Sequence, residues 1–276
     1  MDANTYLTEL EQNVLDRFHE SLYQDPETAQ ELTFHIYVPE DTSRERPLVV
    51  YIPDLSCTGR DHTRSLHNTG ALVWADRDFQ QKYSPFVVIP HFAEKIIEDD
   101  GPLPAVDLIP KFIDALIDEF MIDRHRIYVT GQSMGCMTFL SLCARYPGKY
   151  AAALFVSGQQ PVSALSALKD QKFIYVTAAG DAKASQGADD LMRYFLQEKI
   201  PFAEASGWDA QASVTLLNTQ AETLLSQGYD HHFIRFAEGT VLTEKATSPA
   251  AEHMASFNYA YMIPALREWL FLQKTE

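Results

Sequence analysis

The sequence predicts an α/β protein: a mostly parallel central sheet with helices on both faces. Three observations carry that expectation. Strand, loop, helix and strand recur in order from about residue 48 to residue 181, as right-handed βαβ units require. Leu48-Val49-Val50-Tyr51-Ile52 and Phe86-Val87-Val88-Ile89 are nearly unbroken apolar runs, the pattern of strands covered on both faces. Finally, the β-rich run Arg126 to Thr130 meets Gly131-Gln132-Ser133-Met134-Gly135, and a helical apolar pattern follows at once. That places a serine at an abrupt strand-to-helix turn.

Taken in order, Tyr6, Leu7, Leu10, Val14, Leu15 and Phe18 recur at helical spacing, so residues 1–30 read as an N-terminal helical extension to a single domain at 31–276. Leu32 to Val38 alternates and is β-branched or aromatic, a strand stopped by Pro39. The strand from Leu48 leads into the polar loop Pro53 to Asp61, at the carboxyl end of a parallel strand, where open α/β sheets place chemistry. Leu72 to Lys82 is moderately helical, the Phe86 strand follows, and His91 to Leu103 is a charged loop. Val106 to Phe120 has firm amphipathic helical spacing. After the serine turn come strands at Ala151 to Val156 and Phe173 to Thr177. Helices are expected at Ala188 to Gln197 and Ala212 to Ser226, with Gly207-Trp208-Asp209 connecting them. A last strand from His232, a long polar segment from Ala237 to His253 and a closing helix from Ile263 to Leu272 complete the chain.

A formal charge of −16, from 22 basic against 38 acidic residues, opposes binding to phosphate backbones, so nucleic acid is not an expected partner. No run approaches the ~18 apolar residues of a membrane span, and no membrane partner is expected. Met1-Asp2-Ala3-Asn4 lacks a secretory pattern; the chain as given reads as cytoplasmic, or as secreted or periplasmic after removal of a signal. Cys57, Cys136 and Cys143 form no CxxC pair and read as ordinary thiols. His91 with Glu94, Glu98, Asp99 and Asp100 lacks a metal-ligand spacing, and there is no phosphate-binding glycine motif, so neither metal nor cofactor is expected. Oligomeric state is not readable.

A serine hydroxyl needs a general base to attack a carbonyl, and the base needs an orienting carboxylate. In doubly wound hydrolases the chain order is Ser, then acid, then His. Ser133, Asp181 and His253 follow that order, Asp181 directly after an apolar strand and His253 ahead of the final helix. Asp181 also suits a turn or helix N-cap, and His231 and His232 compete with His253. Alternation along the strand would send one of that pair inward and the other outward. The oxyanion needs backbone N–H donors: Met134, next to the serine, and Leu55, with Asp54 close behind. Asp54, whose bland reading is a solvated turn residue, and Trp208 are candidates to border the pocket.

With these residues in place the chain resembles the α/β-hydrolase superfamily, and within it the esterase, poly(3-hydroxybutyrate)-depolymerase, predicted-peptidase and feruloyl-esterase-like group. The resemblance lies in Asp123 to Gly135, Ala144-Arg145-Tyr146-Pro147, Ala151 to Gly158, His253 with Ala260-Tyr261, and Leu266 to Gln273. It implies a serine hydrolase of carboxylic esters, small or oligomeric, with Ser133 as nucleophile, His253 as base and Asp181 as acid. Two departures stand out: Ala178-Ala179-Gly180-Asp181 where the group has His-Gly-x-x-Asp, and Ile52-Pro53-Asp54 where it has Leu-His-Gly. A peptidase or acylaminoacyl-type hydrolase on the same triad, and a non-catalytic binding protein of the same fold, remain as alternatives.

Overall fold

The computed structural model describes residues 3–243 and 251–276. The chain opens with helix α1 (Ala3–Val14), then strands β1 (His19–Gln24), β2 (Glu31–Tyr37) and β3 (Arg46–Ile52). Two short helices, α2 (Thr69–Leu72) and α3 (Arg77–Tyr83), precede β4 (Phe86–Pro90) and a small hairpin of β5 (Ile97–Glu98) and β6 (Gly101–Pro102). Next come α4 (Leu108–Glu119), β7 (Ile122–Gln132), α5 (Met134–Arg145), β8 (Ala152–Val156), β9 (Phe173–Ala178) and α6 (Ala182–Gln197). The chain closes with β10 (Ala203–Trp208), α7 (Val214–Leu225), β11 (His231–Phe236), α8 (Ala251–Met262) and α9 (Pro264–Phe271).

Nine strands form one sheet in the order β1-β2-β4-β3-β7-β8-β9-β11-β10. The β1–β2 and β2–β4 pairs are antiparallel and the rest are parallel. All seven residues of β3 are buried, and its last five, Leu48 to Ile52, are the unbroken apolar run of a strand covered on both faces. Its side chains alternate between two cores: Val49 and Tyr51 face one, Leu48, Val50 and Ile52 the other. The first core packs α1, α2, α3, α7, α8 and α9 against the sheet, and the second packs α4, α5 and α6. Helices therefore cover both faces.

Four local expectations are corrected. The N-terminal helix ends at Val14, and residues 19–24 pair with β2 as an edge strand. The region 72–82 is two helices broken at Val73 to Asp76, with Asp76 capping the second through the Asp78 N–H. Gly207-Trp208 ends the other edge strand, β10, so it does not join two helices. Residues 251–262 form a helix that places His253 in its first turn, while 244–250 of the expected polar segment lie outside the described residues.

Candidate active site

Ser133 stands between β7 and α5 with φ 49° and ψ −112°, a conformation that a side chain other than glycine adopts only under constraint. The constraint is visible. Ser133 N–H donates to Val156 O at 3.0 Å, and Ser133 O accepts from Met137 N–H at 2.9 Å. The flanking glycines are required by close approach: a Cβ on Gly135 would sit 1.8 Å from Ile52 O, and one on Gly131 2.7 Å from the same oxygen. Strand β3 thus presses against the turn and lifts the serine clear of the sheet.

Asp181 follows β9 by a tight turn and is 6% exposed. Its two oxygens have separate partners: Oδ1 accepts the Ala184 N–H at 3.2 Å as cap of α6, and Oδ2 lies 2.6 Å from His253 Nδ1. His253 Nε2 lies 2.8 Å from Ser133 Oγ. An ionised carboxylate only accepts, so the proton sits on Nδ1 and Nε2 is free to accept from the serine hydroxyl. The His253 ring also meets Phe257 edge-on at 5.1 Å. The structure thus brings together three residues separated by up to 120 positions in the chain.

His231 and His232 lie at the start of β11, the opposite end of the sheet from the serine turn. Both are buried, which corrects the expectation that alternation exposes one: His231 packs on Phe173 and Phe195, His232 on Trp269, because each face is covered. Burial holds His232 down at about 4.

The facing loop begins at Pro53, directly after β3. Pro53 O accepts the Gly135 N–H at 3.1 Å, which ties the loop to α5, and residues Leu55–Cys57 then make one 3-10 turn. Met134 and Leu55 each stand at the first position of their helical turn, where a backbone N–H has no partner within the helix. The bland reading of Asp54 as a solvated turn residue does not apply: it is 3% exposed, and its carboxylate is occupied by the Ser56 N–H at 2.9 Å and Gln132 Nε2 at 2.9 Å. Gln132, the variable residue of the glycine–serine motif, also donates to Asn68 Oδ1 at 3.0 Å. Its tethering role went unread in the sequence, where a motif's variable position carries no signal.

A cleft of about 540 Å³ opens over Ser133, His253 and Asp181. Met137 is part of its lining, and the rim is polar: Asp99 from the β5–β6 hairpin pairs with Lys183 at 2.8 Å and accepts from Gln159 Nε2 at 3.0 Å. Asp54 and Trp208 do not line it; Trp208 is 5% exposed in the core. A roomier concavity of about 670 Å³ around Arg17, Tyr37, Glu40 and Asp76 holds no nucleophile paired with a base. Among the described residues no group of His, Cys, Asp or Glu is arranged to hold a metal ion, and no helix is long and apolar enough to cross a membrane.

A second serine also meets a histidine. Ser65 Oγ lies 2.7 Å from His91 Nδ1, and His91 Nε2 lies 2.6 Å from His35 Nδ1. Ser65 is fully buried and His91 is 8% exposed, with the His62 ring stacked 5.2 Å above it. Burial, reinforced by His35 and His62, holds His91 down at about 3.

No protein-family model matches the chain, and no curated protein does. Among solved structures it is similar to a thermostable esterase, at 24% identity and a TM-score of 0.73 over 95% of this chain. The chain spans 64% of the length of that esterase. It also superposes on a ferulic acid esterase at 9% identity and a TM-score of 0.57, covering 91% of this chain and 97% of the other. A ferulic acid esterase from the anaerobic fungus Anaeromyces mucronatus gives 10% identity and 0.57, covering 90% and 89%. Sheet order, the serine turn and these superpositions agree: the chain has the α/β-hydrolase fold.

Proposed function

We propose that this protein is a serine hydrolase that cleaves carboxylic esters through an acyl-enzyme on Ser133. The observation that carries the reading is the unbroken chain from Ser133 Oγ to His253 Nε2 at 2.8 Å and from His253 Nδ1 to Asp181 Oδ2 at 2.6 Å. His253 takes the hydroxyl proton as Ser133 attacks the ester carbonyl, and the N–H groups of Met134 and Leu55 receive the developing oxyanion. His253 then gives the proton to the departing alcohol. Water, deprotonated by the same imidazole, releases the acid.

Esters are preferred over amides because an alkoxide leaves with less help from a proton donor. The names of the structural neighbours are in keeping with an ester substrate, although they speak only for those proteins. The cleft suits a small ester or one end of a longer one.

A fluorophosphonate probe and a panel of short-chain p-nitrophenyl esters test the reading. The wild type is expected to label and to turn over ester, and S133A to do neither. A well-folded wild type that resists the probe and hydrolyses no ester sinks the proposal.

A further inference from the structure

We infer that Glu252 is a positioning residue that holds the acid loop and the base helix in register, a role that rests on the serine-hydrolase reading above. Glu252 precedes His253 and is 2% exposed, yet its carboxylate faces no cation among the described residues. Instead its two oxygens take backbone donors from two different loops. Oε2 accepts the Gly180 N–H at 2.8 Å, and Oε1 accepts the Gly239 N–H. Gly180 is the residue before Asp181, and Gly239 lies in the turn that leaves β11.

One side chain therefore joins three pieces of chain: the β9–α6 loop that carries the acid, the exit of β11, and the helix α8 that carries the base. The residue type fits the task. A carboxylate offers two acceptors and no donor, whereas a glutamine would turn an NH2 group toward one of the two N–H groups. The glycine fits as well, since a Cβ at position 180 would lie 2.1 to 2.4 Å from the carboxylate atoms. One turn further along the same face of the helix, Ser256 Oγ donates to His253 O at 2.9 Å and meets Ser157 Oγ at 2.8 Å. Glu252 does not line the cleft, so it reaches the reaction only through Asp181 and His253.

An imidazole shared between two partners works only when both distances are kept, and a misplacement of about 1 Å costs on the order of 100-fold in rate. E252Q is accordingly expected to lower kcat on a short-chain ester by about 10- to 100-fold with KM changed by less than about three-fold. G180A, which displaces the carboxylate by sterics and leaves Glu252 in place, is expected to reproduce that pattern. The double variant is expected to be no worse than the stronger single, because both changes break one contact. All are assayed at a temperature where circular dichroism shows them folded; should E252Q not fold, G180A decides alone. Unchanged kcat, a loss carried by KM, or losses that multiply in the double variant overturn the role of Glu252 alone. A wild type that neither labels nor turns over ester overturns the hydrolase reading and this role with it.

Discussion

Among the described residues two serines sit within hydrogen-bond reach of a histidine ring, Ser133 at 2.8 Å and Ser65 at 2.7 Å, and distance does not tell them apart. What stands behind the histidine does. His253 backs onto the Asp181 carboxylate, which fixes its tautomer and, in the proposed reaction, would stabilise the imidazolium formed when the serine gives up its proton. His91 backs onto the neutral ring of His35, and burial opposes any charge on it. The Ser65 hydroxyl also has a carbonyl of its own, His62 O at 3.0 Å, to which it can donate. One pair opens on a cleft and the other is sealed in the fold. A serine next to a histidine is common polar packing; the carboxylate behind the ring and the cleft in front of it are what the proposed reaction needs, and only the Ser133 pair has both.

The sharpest way to break this comparison is to delete each serine. S133A is expected to lose about 10⁴-fold or more in kcat, and S65A less than about two-fold, by ester turnover of folded protein. An inactive S65A beside an active S133A would reverse the assignment. The next largest effect separates the two duties of Asp181. D181N keeps an oxygen for the Ala184 N–H but loses the charge, so kcat should fall by about 10³- to 10⁴-fold while Tm stays close to wild type. D181A should lose the same activity and about 1 kcal/mol of stability besides, read by urea denaturation.

Ser65 should show itself in stability alone. S65A leaves His91 Nδ1 buried without its partner, at a cost of about 1–3 kcal/mol in the same denaturation measurement. A further effect is in pH. His91 is neutral when folded, with its proton affinity depressed to about 3, and recovers the ordinary histidine value on unfolding. The unfolded chain thus binds the extra proton, so this contribution to stability is intact above about pH 6.5 and is lost progressively from there down toward pH 3. His35, also depressed by burial, acts in the same direction. Tm followed from pH 7 to 4 should decline less steeply in H91Q than in wild type; equal slopes would remove His91 from the account.

The interior of the sheet was legible because strands covered on both faces are written as apolar runs. The two strands of the nine-stranded sheet that the sequence did not reveal, β1 and β10, are its two edges. Their side chains are mostly exposed, so His-Glu-Ser-Leu-Tyr-Gln and Ala-Glu-Ala-Ser-Gly-Trp carry no alternating signal, and only backbone pairing defines them. Helix α8 was obscured for the opposite reason. It is buried on most sides, at Ser256, Phe257, Tyr259, Ala260 and Tyr261, and so shows no apolar stripe. The order of Ser133, Asp181 and His253 could be read because a hydrolase's chain order follows from its topology. Glu252, Gln132 and the buried carboxylate of Asp54 could not, since each depends on which loops meet across the sheet.

The two walls of the cleft are held in unlike ways, and that difference bears on how the protein can be diversified. On one side the Ser133 turn is backed, beneath the cleft, by a seam of backbone contact between Ile52 and Gly135, where even a methyl group has no room. On the other, Asp99, Gln159 and Lys183 meet through side chains, with Asp99 and Lys183 largely exposed, and substitutions at such positions cost little stability. Selection for new substrates has a free hand on the second wall and none on the first. A mutant library confined to those three positions should shift specificity while leaving the chemistry of the serine turn intact.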